Sequence, residues 1–301
     1  MESDSKSNIL SSSIELADYT LSNRMVMAPM SCLYHHHNLS HPEIVDYYTK
    51  RASAGLIITE PTLISPPKGF DGCPGIYSRQ QIKKWREITE AVRDCGGKIF
   101  LQLWYCEDET SFCHLGESLH INGLAINKDF PTVVKLFRRA AQNAMAADFD
   151  GVEIHAAFGY LDERHFQRDL KFSHNIEQQA ELLISIIEEV ASVWNEDRVG
   201  VRITPEVTLS GVKDVTIIED FYDLFDAFNF YDIAYVHLVE SVKAARSDRQ
   251  IFLALSTVLR SIYHGTVILS CQNDLERAKQ VITARQADLV SFDNFESLVA
   301  C

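Results

Sequence analysis

Basic residues are few in this 301-residue sequence. Lys and Arg number 28 against 42 Asp and Glu, so the formal net charge is −14, and no run of Lys or Arg interrupts the excess of acid. Proteins that bind nucleic acids or anionic membranes usually present clustered positive charge. The composition therefore argues against nucleic acid and against an anionic membrane as partners.

Paired cysteines are also missing. The seven Cys residues form no CxxC pair and no spacing typical of zinc ligands. Such a scattered, odd-numbered set is typical of a reducing compartment, where free Cys behaves as a small hydrophobe. The run His35, His36 and His37, with His41 nearby, is interpreted as an exposed loop because consecutive side chains point apart. We therefore predict no metal site.

The sequence contains neither a long apolar segment nor a signal peptide. No apolar run approaches the roughly 18 residues needed to span a bilayer. Residues 1–13 are rich in Ser and carry acids, without the apolar centre of a signal peptide, so we predict a disordered leader there. The remaining residues, 14–301, suffice for one large core. We expect a single-domain cytoplasmic protein with no membrane partner.

What the chain does contain is an alternation of short apolar runs and longer segments of helical periodicity. In residues 79–95, for example, Ile82, Trp85, Ile88 and Val92 fall on one helical stripe. The predicted strands are 24–29, 56–60, 98–104, 151–156, 198–205, 232–240, 266–271 and 287–293. The predicted helices are 42–54, 79–95, 131–148, 176–195, 217–229, 249–264 and 274–286.

This alternation predicts an α/β fold. Near-continuous apolar strands separated by helices indicate a parallel sheet covered by helices, and eight strands indicate a (β/α)8 TIM barrel. Only residues 294–301 follow the last predicted strand. We therefore expect the last βα unit to be truncated, or to be covered by a partner chain.

In such barrels the reactive groups lie at the C-terminal ends of the strands. Six side chains near those ends can carry chemistry, namely Gln102, Trp104, His155, Tyr160, Arg202 and His237. A buried Arg needs an anion or a polarised oxygen as its partner. Arg202 is therefore the clearest indication of a bound ligand, and an internal pair with Glu153 or Glu60 is the alternative.

Several segments resemble the old yellow enzyme family. They are NRMVMAPM, YYTKRASAGLIITEPTLISP, PGIYSRQQIKKWREITEAVRDCGGKIFLQLW, AAQNAMAADFDGVEIHAAFGYL and DRVGVRITP. The resemblance extends in order over about residues 14 to 295. It implies a (β/α)8 barrel that binds FMN, takes reducing equivalents from NAD(P)H and acts as an oxidoreductase or ene-reductase on a conjugated carbonyl.

The resemblance also implies a role for individual residues. Pro29, Met30 and Ser31 would lie against the isoalloxazine ring, Gln102 would bond its pyrimidine edge, and Arg202 would stabilise negative charge near N1 and O2. His155 would bond the flavin and the substrate oxygen. Tyr160 would give a proton to the substrate carbon. Trp104, Phe158 and His237 would line the substrate pocket.

Four places depart from the family pattern. Phe158 stands where the family has a second donor to the substrate oxygen, whose loss typically slows a reaction by about 10²–10³-fold. The phosphate-binding GG turn and GR pair are replaced by residues 270–274 and 292–295, and Pro61 replaces a Gly. Asp274 and Asp293 bring like charge toward a phosphate. One carboxylate roughly 5 Å away costs about 3 kcal/mol at an effective dielectric of about 20.

Three hypotheses follow. The first is an old yellow enzyme-like flavin oxidoreductase with an atypical site. The second is a flavin-independent, non-redox isomerase or cyclase on the same barrel, in which His155 and Tyr160 form the acid–base pair for an apolar substrate. The third is a pseudoenzyme or assembly partner whose open last unit is covered in a homodimer.

Overall fold

The structure is a computed structural model that describes residues 9–30, 43–67, 73–105, 126–156, 173–203, 216–240 and 246–295. Its strands are β1 (Ile14–Leu16), β2 (Tyr19–Leu21), β3 (Met25–Met27), β4 (Leu56–Ile58), β5 (Thr62–Leu63), β6 (Ile99–Trp104), β7 (Gly151–His155), β8 (Val199–Ile203), β9 (Tyr235–Leu238), β10 (Val267–Ser270) and β11 (Leu289–Phe292). Its α-helices are α1 (Glu43–Thr49), α2 (Arg79–Asp94), α3 (Ile126–Ala146), α4 (Ser173–Trp194), α5 (Thr216–Ala227), α6 (Arg246–Ile262) and α7 (Leu275–Thr283).

Eight of these strands form a closed parallel barrel. The order is β3, β4, β6, β7, β8, β9, β10 and β11, and β11 pairs with β3 to complete the ring. The short strand β5 adds to the C-terminal end of β6. The predicted (β/α)8 barrel is confirmed, with each predicted strand in its expected place. Residues 296–301 lie outside the described residues, so the truncated last unit stays a prediction.

Two aromatic rings fill the barrel interior near its N-terminal end. Successive strand residues point to opposite faces, so Phe100 of β6 and Tyr235 of β9 point inward, with ring centroids 5.9 Å apart. Gly151 and Gly200 on the neighbouring strands make room for these rings. A Cβ at Gly200 would lie 2.2 Å from Cζ of Tyr235, and one at Gly151 would lie 2.4 Å from Cζ of Phe100.

The N-terminal segment covers this end of the barrel. The antiparallel pair β1 and β2 places Leu16 and Leu21 against the inward-facing apolar residues of the barrel. Before it, a 3₁₀ turn over Ile9–Ser11 buries Leu10 completely. The predicted leader therefore includes ordered residues from Ile9 onward, because Leu10 has apolar surface to bury. Residues 1–8 lie outside the described part of the chain, and the single domain over 14–301 stays a prediction.

The largest differences between the predicted and the observed helix boundaries occur in α1 and α3. Helix α1 ends at Thr49 rather than at 54, because the chain then turns into β4. Just before β4, Gly55 packs against the Asn23 backbone, and a Cβ at Gly55 would lie 2.2 Å from the Asn23 backbone oxygen. Helix α3 begins at Ile126 and contains Pro131 in its interior. The predicted start at 131 is therefore wrong by about one helical turn, although Pro inside a helix forfeits a hydrogen bond.

The helices pack on the outer face of the barrel. Helix α2 begins with a capping box, in which the Ser78 hydroxyl accepts from the Gln81 backbone N–H and the Gln81 side chain accepts from the Ser78 N–H. Its buried stripe includes Trp85, Ile88 and Val92, as the periodicity predicted. Within the described segments, no helix has the length and apolar character that crossing a bilayer would require.

Substituting Gly200→Ala tests the packing of the aromatic floor. The added methyl group would overlap the Tyr235 ring, and overpacking of this kind costs about 1–3 kcal/mol. We expect urea denaturation to show a fall of that size in the free energy of unfolding. The control is the same substitution in a Tyr235→Leu background, where the loss should be smaller. Equal losses in both backgrounds would contradict this account of the floor.

Candidate active site

The mouth of the barrel brings together the polar residues predicted from the strand ends. Parallel register places His155 beside Arg202 and Arg202 beside His237. It also places Gln102 beside Glu153. Because His155 and Glu153 are two residues apart on one strand, both point into the barrel. The strands themselves therefore assemble this group of side chains above the aromatic floor.

A buried chain of hydrogen bonds crosses the barrel below the mouth. The Gln102 Nε2 group donates to Glu153 Oε1 over 2.6 Å. The other carboxylate oxygen, Oε2, lies 2.9 Å from His237 Nδ1, and His237 Nε2 lies 2.9 Å from the Ser291 hydroxyl. All four side chains are essentially inaccessible to solvent. We refer to Gln102, Glu153, His237 and Ser291 as the buried polar layer.

This layer fixes the orientation of the Gln102 amide. A carboxylate only accepts hydrogen bonds, so the NH₂ of Gln102 must face Glu153. The Gln102 carbonyl oxygen is left buried and has no hydrogen-bond partner among the described residues. Buried acceptors of this kind are normally satisfied. Gln102 therefore offers an acceptor to a ligand that carries an N–H or O–H group.

Arg202 supplies a positive charge at the same mouth. The residue is partly exposed, but its Nε atom is buried and has no hydrogen-bond partner among the described residues. Burial lowers the pKa of Arg202, whereas the nearby charges of Glu153 and Asp293 raise it. A guanidinium group still stays protonated in proteins. The predicted anion- or oxygen-binding role of Arg202 is thus compatible with its geometry.

His155 lies beside this cation in a dry environment. The residue is 2% exposed, and its ring stacks on Trp104 with centroids 6.3 Å apart. Burial, then Arg202 and His237, lower the pKa of His155 well below the usual value for histidine. The imidazole is therefore neutral at physiological pH and can donate one ring N–H.

His237 lies within the buried polar layer. Its assignment to the substrate pocket stays a prediction, but both of its ring nitrogens already lie against protein groups in the buried polar layer. We therefore assign to His237 a role in supporting Glu153. The signal that could have revealed this was in the sequence, because Glu153 shares its inward face with His155.

The other predicted residues fall partly outside the described ranges. Pro29 is buried just after β3, and Met30 is 39% exposed at the mouth. Ser31, Phe158 and Tyr160 lie outside the described residues. No cluster of three or more His, Cys, Asp or Glu that could hold a metal occurs in the part of the chain that was searched.

The ends of β10 and β11 form a second group of polar residues beside the mouth. Asp274 caps helix α7, its Oδ1 accepting from the Arg277 N–H over 2.9 Å. Asn273 Oδ1 accepts from the Asn294 N–H over 2.9 Å. The Arg277 guanidinium donates to Glu240 Oε2 over 2.6 Å, and Glu240 is 4% exposed. The sequence did not single out this Arg277–Glu240 pair.

Acidification tests the environment of His155. The unfolded chain binds a proton at this residue near pH 6.5, but the lowered pKa prevents the folded protein from doing so. Stability should therefore fall as the pH drops below about 6.5. We expect His155→Gln to reduce this slope, by at most about 1.4 kcal/mol per pH unit, in urea denaturation at a series of pH values. Parallel pH profiles for the two proteins would contradict the prediction.

Substituting Glu153→Gln tests the buried polar layer. The amide removes the negative charge that accompanies Arg202, and it cannot accept from both Gln102 and His237. We expect the free energy of unfolding to fall by about 3 kcal/mol. Glu90→Gln is the matched control, because Glu90 forms an exposed pair with Arg86 and should change stability by less than about 0.5 kcal/mol. Similar small effects for both would exclude a structural role for the layer.

Known proteins resemble this chain along nearly its whole length. The NADH:flavin oxidoreductase / NADH oxidase family matches residues 10–294. A 12-oxophytodienoate reductase 1 from Oryza sativa subsp. japonica is 31% identical, with 92% of this chain and 80% of the relative covered. A chanoclavine-I aldehyde reductase from Penicillium roqueforti (strain FM164) is 33% identical, with 89% and 80% covered.

A solved structure gives the same result. The old yellow enzyme from Trypanosoma cruzi is 28% identical and superposes with a TM-score of 0.79, covering 97% of this chain and 91% of that one. The closed eight-stranded barrel agrees with this likeness. The chain therefore belongs to the NADH:flavin oxidoreductase / NADH oxidase family and is a flavin oxidoreductase of the old yellow enzyme type, as its sequence resemblance predicted.

Proposed function

We propose that this protein reduces the C=C bond of a small, largely apolar molecule in which that bond is conjugated to a carbonyl group. The observation that carries the proposal is the arrangement at the mouth of the barrel. A neutral His155 and the Arg202 cation lie side by side at the ends of β7 and β8, next to the strand that presents the Gln102 acceptor. The Gln102 acceptor and the Arg202 cation are suited to a polar ring system that carries N–H groups and oxygens. The His155 donor is suited to the oxygen of a carbonyl substrate.

The described residues fit the ring of a flavin. Gln102 would accept a hydrogen bond from the pyrimidine edge, and its buried oxygen supports this assignment. Arg202 would face the oxygen-bearing side of that edge, where a cation offsets developing negative charge. Pro29, Met30 and Ser31 would lie against the ring. When bound, the flavin supplies hydride transfer between NAD(P)H and the substrate.

We propose that the phosphate-binding positions of the family are altered in this protein. The sequence resemblance places residues 292–295 where the family has its Gly-Arg pair, and Asp274 already caps the first turn of α7.

The chain's own groups would complete the chemistry at the substrate. The neutral imidazole of His155 donates an N–H to the substrate carbonyl oxygen and withdraws electron density from the double bond. Tyr160 then gives its hydroxyl proton to the substrate carbon next to the carbonyl. Trp104 and Phe158 supply apolar walls. With Phe158 in place of a second donor, the carbonyl is held by one hydrogen bond fewer than in the family pattern.

The names of two relatives support this substrate class. One is called a 12-oxophytodienoate reductase and the other a chanoclavine-I aldehyde reductase, and both names describe reductions of small organic carbonyl compounds. We propose the same broad class here, with the replacement at Phe158 favouring a substrate that has more apolar surface near its carbonyl. We further propose a cytoplasmic location, which the scattered cysteines support, and a homodimeric assembly.

Activity of a Tyr160→Phe variant tests the proposal. With flavin and NADPH supplied, the wild-type protein should consume an apolar enone. The variant should do so about 10²–10⁴-fold more slowly, because the general acid is lost, while NADPH should still bleach the flavin at the wild-type rate. Stopped-flow absorbance separates these two half-reactions.

The control for this experiment is Tyr222→Phe. Tyr222 lies on α5 and is 52% exposed, so its hydroxyl is remote from the mouth and both half-reactions should be unchanged. Turnover that continues at full rate without flavin and without nicotinamide would overturn the redox proposal, and it would support the acid–base isomerase or cyclase instead.

A further inference from the structure

We propose that the site selects the flavin ring and does not favour the 5′-phosphate, so that the protein binds riboflavin at least as well as FMN. The inference rests on the proposed flavin function and refines the identity of the cofactor. The inference is drawn from a contrast between two parts of the site. The mouth offers a ligand the buried acceptor of Gln102 and the cation of Arg202. At the adjacent ends of β10 and β11, polar groups already form hydrogen bonds with one another.

The first argument concerns charge. Asp293 follows β11 directly, where burial raises the pKa of its carboxyl group and the nearby charge of Arg202 lowers it. Asp274 lies across from it at the start of α7, and the two segments are joined by the Asn294 to Asn273 hydrogen bond. A phosphate placed between these segments would be brought toward two carboxylates. Like charges at such range oppose binding.

The second argument concerns backbone donors. Phosphates in this type of barrel are usually held by free amides of the last loops and by a helix N-terminus. Here the Arg277 N–H donates to Asp274 and the Asn294 N–H donates to Asn273. The Asp274 N–H donates to the Cys271 carbonyl oxygen over 3.0 Å, and the Cys271 N–H donates to the Ser291 carbonyl oxygen over 3.1 Å. Several amides that could cradle a phosphate are thus already satisfied by the chain itself.

The third argument concerns the available cation. Arg277 is the basic side chain in the first turn of α7, but it is bound by Glu240 over 2.6 Å, and only 15% of its side chain and 4% of that of Glu240 are exposed. Its guanidinium also lies 5.7 Å from the centroid of the Phe252 ring. Withdrawing Arg277 from this pair would leave Glu240 buried and unpaired, which is strongly unfavourable. Arg277 is therefore committed within the fold.

The same groups suit an alcohol better than a phosphate. A phosphate oxygen only accepts hydrogen bonds near neutral pH, whereas a ribityl hydroxyl group also donates. The carboxylates of Asp274 and Asp293 are acceptors, so a terminal hydroxyl group can bond to them and a phosphate cannot. The chemistry at this end of the site thus matches a flavin with an uncharged tail.

Flavin binding to the full-length protein, freed of bound flavin, tests the inference. Riboflavin and FMN are titrated separately, and the quenching of flavin fluorescence gives each dissociation constant. We expect riboflavin to bind as tightly as FMN or more tightly. We also expect Asp293→Asn to tighten FMN by at least about tenfold and to change riboflavin much less. The substitution removes a charge that opposes the phosphate, whereas its effect on Arg202 is shared by both flavins because both carry the same ring.

Two further variants make the experiment specific. Glu240→Gln weakens the ion pair with Arg277 and should therefore also lower the dissociation constant of FMN but not that of riboflavin. This effect is independent of Asp293, because Glu240 follows a different strand. Glu90→Gln makes the same change in net charge at the exposed pair with Arg86 and should alter neither dissociation constant.

The possible outcomes separate this inference from the proposed function. A wild-type preference for FMN of more than about tenfold would overturn the inference and leave the flavin function standing. Failure of both flavins to bind would overturn the proposed function itself. Comparable binding of both flavins, with a gain for FMN alone in the Asp293 and Glu240 variants, is the result that the structure leads us to expect.

Discussion

The arrangement of the barrel mouth depends on one buried carboxylate, that of Glu153. Glu153 is fully removed from solvent, and it is held by Gln102 on one side and His237 on the other. A buried charge is tolerated only when it is paired and hydrogen-bonded, so the three strands that carry these residues must keep their register. The same contacts leave the Gln102 oxygen without a partner among the described residues and place negative charge near Arg202. Fold and candidate site are therefore joined through one side chain.

Arg202 and His155 show how the barrel tunes neighbouring groups in opposite ways. Adjacent positions on β7 and β8 bring them side by side. The guanidinium stays charged in spite of burial, while burial and that same charge keep the imidazole neutral. A fixed cation beside a neutral donor is suited to substrates that gain negative charge on oxygen. Arg202 thus supplies a permanent cation and His155 a neutral hydrogen-bond donor, because Arg202 does not lose its proton in the accessible pH range.

Much of this arrangement could be predicted from the sequence, and the missing parts have physical causes. The alternation of apolar strands and helices predicted the barrel, and the strand ends predicted Gln102, His155 and Arg202. The partnership of His237 with Ser291 joins residues far apart in the chain, and it depends on the pairing of β9, β10 and β11, which no local pattern reveals. The same holds for Arg277 and Glu240. The burial of Leu10 was not predictable from the local sequence, because its short apolar turn is flanked by Ser residues.

The aromatic floor has a consequence for the access of water to the site. Phe100 and Tyr235 fill the barrel directly below the buried polar layer, and Leu16 and Leu21 cover the end beneath them. Among the described residues, these side chains therefore separate the layer from the N-terminal end of the barrel. A ligand bound over Gln102 would cover the opposite side. The layer would then be closed at both ends, and its hydrogen bonds would be shielded from water for as long as the ligand stays.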